Sequence, residues 1–170
     1  MQAINHLPMG NFKKILLHFD APIFPAAASQ NIYPFSNDEQ NVWRFITREP
    51  HANCITVIVG GVLATVLDGV GDDAVVAQAI HHINTMIGHD VTGALQNSSV
   101  THWGTDPHFR GAYTYGLPGS ENARHGVADA DMGELWFAGE AYIEEAYATA
   151  HGAYDSGIRA ATRALAEVLV

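Results

Sequence analysis

Three short apolar runs constrain this chain more than anything else in it: Ile15-Leu16-Leu17-His18-Phe19, Val42-Trp43-Arg44-Phe45-Ile46 and Ile55-Thr56-Val57-Ile58-Val59. They are rich in β-branched and aromatic side chains, which lose rotamer freedom in a helix but pack well on a pleated surface. Turn material separates them, with Pro22, Pro25 and Pro34 in the first gap and Glu49-Pro50 in the second. Together they predict strands of an antiparallel or mixed sheet.

The period then changes. Val76, Ala79, Ile80, Ile83, Met86 and Ile87 recur at helical spacing, with Asp72-Asp73 in front and Gly88 behind. Acidic residues at the start and glycine at the end are the signals of a bounded amphipathic helix. Residues 91–133 show no sustained period and are glycine-rich, which predicts a functional loop with one strand near Val100. A compact run, Leu135-Trp136-Phe137-Ala138, reads as a strand stopped by Gly139-Glu140. In the last helix Tyr154, Ile158, Ala161, Leu165 and Val168 share a face, with Arg159, Arg163 and Glu167 on another. The expected class is α+β.

A chain of 170 residues is enough for one sizeable core. Its formal charge of −10, with Lys13 and Lys14 its only lysines, argues against nucleic acid or an anionic membrane as partner. One cysteine, Cys54, excludes an internal disulfide framework and CxxC chemistry. No apolar run has the length of a membrane span and residues 1–10 lack a signal pattern, so a soluble, cytoplasmic location is expected.

Several motifs attract attention. Gly69-Val70-Gly71-Asp72-Asp73-Ala74 formally matches GxGxx(G/A), with Asp90 nineteen residues beyond Gly71. A dinucleotide turn would set two phosphates where Asp72 and Asp73 place two carboxylates, and acidic residues suit any helix start. That match is a decoy. His81, His82 and His89 do not converge, since helix neighbours point about 100° apart and His89 lies past Gly88, so no metal is expected. Cys54 sits inside an apolar run and reads as core, and no GxSxG elbow is present. The strand ending at Gly139-Glu140, the eight-residue connection and the helix opening at Thr149-Ala150-His151-Gly152 form a unit whose backbone N–H groups can meet an electron-rich ligand. Such a unit is common and does not by itself name the ligand.

The residues of that unit carry more than chemistry. Leu135-Trp136-Phe137-Ala138-Gly139-Glu140 and Thr149-Ala150-His151-Gly152-Ala153-Tyr154-Asp155-Ser156-Gly157-Ile158-Arg159 together resemble the C-terminal signature of the FAD-dependent amine oxidases. Trp103-Gly104-Thr105-Asp106-Pro107 through Arg110-Gly111-Ala112-Tyr113-Thr114-Tyr115 is similar to the W-x-x-D-P…R-G-x-Y-x-Y stretch of the polyamine-oxidase and flavin histone-demethylase branch. Met9-Gly10-Asn11 to Phe19-Asp20 resembles the start of the family's substrate-domain sheet. The three matches are collinear.

The resemblance implies hydride transfer from an amine C–H to flavin N5, an imine that water hydrolyses, and O₂ as the final acceptor giving H₂O₂. FAD supplies the electron sink while protein supplies binding and orientation. By position, Glu140 resembles the carboxylate that contacts the FAD chain near its ribityl–diphosphate. The amides of Thr149 and Ala150 resemble those facing the flavin N1–C2=O edge, where a helix N-terminus favours negative charge. Trp103 resembles the tryptophan beside the isoalloxazine, and Tyr113 the aromatic wall that guides the substrate nitrogen. Tyr115 is expected on the other side, as a structural residue. Thr149 stands where monoamine oxidases carry a second tyrosine, which favours the polyamine-oxidase-like or amino-acid branch.

The family's glycine-rich βαβ unit has no counterpart here. The expectation is therefore the C-terminal part, or a subunit, of an FAD-dependent amine oxidase, partnered by a polypeptide that carries the GxGxxG half and acting on a small amine. Residues 1–118 are expected to belong to the substrate-binding domain, and residues 119–170 to the Rossmann-like FAD-binding domain. The alternatives are a subunit of an L-amino-acid oxidase, for which Arg44 and Arg110 are the candidate carboxylate clamps, and a non-catalytic fragment that keeps the fold.

Overall fold

The computed structural model describes residues 2–25, 28–35, 41–130, 133 and 135–168. The chain is mixed α and β with antiparallel sheets, and it divides into two compact units, residues 11–111 and residues 1–10 with 112–170.

In the first unit five strands form one antiparallel sheet: β2 (Phe12–Phe19), β3 (Asn31–Ile32), β4 (Arg44–Thr47), β5 (Cys54–Gly60) and β6 (Leu95–Val100) in the order β3-β4-β5-β2-β6. The first and third apolar runs of the sequence lie within β2 and β5, and the second enters the sheet only from Arg44, with Val42 and Trp43 ahead of β4. Alternation along β2 buries Lys13, Ile15, Leu17 and Phe19 and turns Lys14 and His18 outward. The buried row packs with the helices α2 (Gly61–Asp68) and α3 (Asp72–Ile87), whose Ala64, Leu67, Val75, Ala79 and Ile83 complete the core. Each Val, Leu, Ile or Phe among them taken fully from water contributes about 1.5–3 kcal/mol. The helix α3 starts and stops where its caps place it, with Asp72 and Asp73 in the first turn and Gly88 left-handed at φ 79.

The turn at Gly69-Val70-Gly71 joins two helices, whereas a dinucleotide loop follows a strand. Burial and the neighbouring His81 push the His82 imidazole below its ordinary pKa, and its ring packs 4.9 Å from that of Trp43. Cys54 is a buried free thiol in β5.

One polar cluster interrupts this core. The Lys13 ammonium is 2.8 Å from Asp68 Oδ1 and donates to the Thr101 carbonyl at 3.0 Å, while Asn11 Nδ2 donates to Asp68 Oδ2 at 2.6 Å. Gly104 lies against the cluster so closely that a Cβ there would meet Asp68 Oδ2 at 2.3 Å. Burial pushes the Asp68 carboxyl up, but the bonds from Lys13 and Asn11 outweigh it and hold the group below its ordinary value.

The second unit contains α1 (Gln2–Asn5), β1 (Met9–Gly10), β7 (Tyr113–Thr114), α4 (Ala123–Ala128) and α5 (Ala150–Val168). The pairs Met9↔Thr114 and Gly10↔Tyr113 make a short antiparallel ladder, extended by bonds from Tyr115 N to Pro8 O and from Leu117 N to His6 O. The expected strand at residues 135–138 is corrected. Those residues join no ladder among the described residues, because a strand exists only through a neighbour that accepts its hydrogen bonds. The helix α4 lies inside the stretch expected to be loop. No helix among the described residues is long and apolar enough to cross a membrane.

Candidate functional site

Glu140 opens a 3-10 turn, Glu140–Tyr142, directly after Gly139, whose φ of 133 suits glycine alone. Ser156 on α5 clasps that glycine on both sides, accepting from Gly139 N at 2.7 Å and donating to Gly139 O at 2.9 Å. The Glu140 carboxylate is thereby aimed at β7 and at the start of α5. It accepts from Thr114 N at 2.9 Å, from Thr114 Oγ1 at 3.1 Å and from Ala148 N at 2.9 Å.

Ala148 itself is left-handed, at φ 59, a conformation that costs a non-glycine residue about 1–2 kcal/mol. The bond from its N–H to Glu140 helps hold that geometry. Next in the chain, Thr149 caps α5: its hydroxyl donates to Ala146 O at 2.6 Å and accepts from Gly152 N at 3.1 Å. The connection lies so close on the helix that a Cβ at Gly152 would stand 2.0 Å from Ala146 O.

This arrangement leaves binding capacity in two places. A carboxylate offers about four lone-pair directions, of which three are used at Glu140. The N–H groups of Thr149 and Ala150 have no acceptor among the described residues, as the first turn of a helix requires. A residual acceptor beside free donors at the positive end of a long helix fits a ligand that brings a hydrogen-bond donor to the carboxylate and an anionic or electron-rich group to the amides.

The sequence pointed to five residues. Tyr113, Glu140, Thr149 and Ala150 lie in one compact unit and Trp103 in the other. Glu140 is tied to β7, which carries Tyr113, and to Ala148, which leads into Thr149 and Ala150. Trp103 follows β6 in a turn closed by Gly111 N on Trp103 O, and its indole meets Phe109 edge-on at 5.1 Å. Tyr113 is exposed; so is Tyr115, with buried Thr114 between them. Tyr115 lies just beyond β7, and its ring stands 3.4 Å from where a Cβ of Gly10, the partner of Tyr113, would be, so the opposite placement expected for Tyr115 is corrected.

Two participants carried no signal in the sequence. Thr114 falls on an unspecified position of the R-G-x-Y-x-Y run, and Arg124 lies in the stretch expected to be loop. Arg124 is 3% exposed. It donates from Nη1 to Thr114 Oγ1 at 2.8 Å and to Ala141 O at 3.0 Å, with its guanidinium carbon 4.2 Å from the Tyr147 ring centroid.

Comparison with known proteins gives the family of the chain. Residues 1–165 match the family described as flavin containing amine oxidoreductase. A Drosophila melanogaster protein named "Possible lysine-specific histone demethylase 1" is 30% identical over 180 residues, covering 95% of this chain and 20% of that protein. Lysine-specific histone demethylase 2 of Homo sapiens is 28% identical, covering 96% of this chain and 21% of its own length. Polyamine oxidase 2 of Arabidopsis thaliana is 25% identical, covering 94% of this chain and 32% of its own length. The chain thus spans about a fifth to a third of these relatives.

Proposed function

The chain belongs to the flavin-containing amine oxidoreductase family, whose cofactor is FAD, and from that premise we propose that it is the C-terminal part or a subunit of an FAD-dependent amine oxidase. The observation that carries this reading is the Glu140 carboxylate bound to Thr114 and Ala148 beside the unused amides of Thr149 and Ala150. When bound, FAD supplies the acceptor for a hydride from the amine C–H. Water then hydrolyses the imine to an aldehyde and an amine, and O₂ takes up the two electrons and two protons as H₂O₂.

This chain's residues bind and orient. Glu140 would accept a hydrogen bond from a hydroxyl of the cofactor's chain, and the Thr149 and Ala150 amides would face its N1–C2=O edge. Trp103 would offer an aromatic face to the cofactor ring. Tyr113 walls the path of the substrate nitrogen. Residues 1–118 serve the substrate-binding domain, and 119–170 close a Rossmann-like FAD-binding domain. The compact units divide the chain at other points because β1 pairs with β7. The site then works in the cytoplasm on a small amine.

The glycine-rich half comes from a second polypeptide or a missing segment. Two features support that need. Tyr154, Ile158 and Leu165 line α5 at 70%, 54% and 60% exposure, and residues 135–138 lack a ladder partner among the described residues. Purifying the assembly that carries this chain tests the reading. Flavin absorption, a co-purifying glycine-rich polypeptide or segment and H₂O₂ release with a polyamine are expected. A colourless assembly would overturn it in favour of a fragment that keeps only the fold.

A further inference from the structure

Arg124 is a buried cation that no carboxylate touches among the described residues. Burial of a guanidinium is costly unless its donors and its charge are both answered. Its Nη1 serves two oxygens, Thr114 Oγ1 and Ala141 O, and its face lies on the Tyr147 ring. The answering charge is one hydroxyl away.

A guanidinium only donates, so Thr114 Oγ1 accepts from Arg124. The single Thr114 hydroxyl hydrogen is then committed to Glu140 Oε2. The relay runs in one direction, from cation through hydroxyl to carboxylate. The same side chain also grips the connection between Glu140 and α5 near its beginning, at Ala141, and near its end, at Tyr147. The next residues are the left-handed Ala148 and the two amides that begin α5.

We propose that Arg124 is a positioning residue of the flavin site, holding Glu140 through Thr114 and the connection through Ala141 and Tyr147, so that carboxylate and amides meet the cofactor together. The proposal rests on the reading of Glu140, Thr149 and Ala150 as cofactor contacts.

The test measures FAD dissociation constants and flavin midpoint potentials in the flavin-loaded assembly. Arg124→Met and Thr114→Val are each expected to weaken FAD binding about tenfold and to move the potential, and Glu140→Gln to weaken binding at least as much. Arg124→Met combined with Glu140→Gln should lose little beyond Glu140→Gln alone, since groups acting through one another are not additive. Arg124→Lys, which keeps the charge and a donor for Thr114, should recover part of the loss. Additive losses overturn the proposal, as does a fall in thermal stability with affinity and potential unchanged. If Arg124→Met does not fold, Thr114→Val decides, because it removes the relay and keeps the guanidinium; wild-type affinity there overturns the proposal. Weak binding in Glu140→Gln with normal binding in Arg124→Met defeats only the positioning role. Normal binding in Glu140→Gln defeats the cofactor reading, and the positioning role falls with it.

Discussion

At Tyr113 and Thr114 the alternation of a strand gives neighbouring residues different work: Thr114 is buried in the Glu140 network while Tyr113 faces outward. Replacing Tyr113 by Ala should therefore spare flavin content and lower amine turnover by up to ~10²-fold, because a lost wall misplaces the reacting C–H. Steady-state kinetics beside the visible spectrum check this, and unchanged kinetics would demote Tyr113 to a structural residue. Asp68 shows a different residue-scale effect. Asp68→Asn leaves the buried Lys13 ammonium without its counter-charge, which should cost about 3–5 kcal/mol of stability. Since Lys13 and Asn11 hold the folded carboxyl below its ordinary 3.8, its contribution is complete above that pH and is lost as pH falls through the lower folded value. Thermal melts below about pH 4 should accordingly show a shallower acid limb in Asp68→Asn than in the wild type. Glu140, Thr149 and Tyr113 were legible because they stand in recognisable runs. Arg124 and Lys13 were not, because a buried cation is explained only by partners far away in the chain.

Elements were legible where one stretch of chain contains its own instructions. The helix α3 carries a full apolar period, acidic residues in front and a glycine behind, and it forms over Asp72–Ile87. By contrast α2 has eight residues, starts at a glycine without a side-chain cap and exposes Val62 and Val66, so its pattern blends into the strand before it. The six residues of α4 include Gly126, a poor helix former, and packing rather than propensity makes them helical. At the start of α5 a glycine is required by contact instead of by torsion. Gly152→Ala would drive a methyl group into the Ala146 carbonyl, forcing the 141–148 connection off the helix. The expected cost is about 1–3 kcal/mol, together with faster loss of flavin on dialysis. Differential scanning fluorimetry and the flavin-to-protein ratio read the two effects, and a wild-type ratio would show that the connection tolerates the shift.

For the whole molecule the decisive quantities are charge and unpartnered apolar surface. A formal charge of −10 repels a dianionic diphosphate, and the one formal glycine-rich match places Asp72 and Asp73 at a helix start. The 170-residue chain alone should neither hold FAD nor oxidise amines. The stripe of Tyr154, Ile158 and Leu165 should make it self-associate, or bind tightly to a glycine-rich partner when one is supplied. Size-exclusion chromatography with an absorption spectrum checks this. A soluble yellow monomer that releases H₂O₂ from an amine would contradict both the proposed need for a glycine-rich partner and the role of that stripe.

From the sequence by itself came the class of elements, the two ends of α3, the acidic surface and the family, because periodicity, caps and signature runs are local and survive being read one residue after another. Tertiary structure decided three other matters. It denied residues 135–138 a ladder, since strand pairing depends on a neighbour and not on the strand's own residues. It put Tyr115 on the side of Tyr113, through the pairing of β1 with β7. And it brought Arg124, ten residues from Thr114 and seventeen from Ala141, into contact with both, because the only low-energy place for a buried cation is among oxygens and a ring that the fold collects from separate stretches.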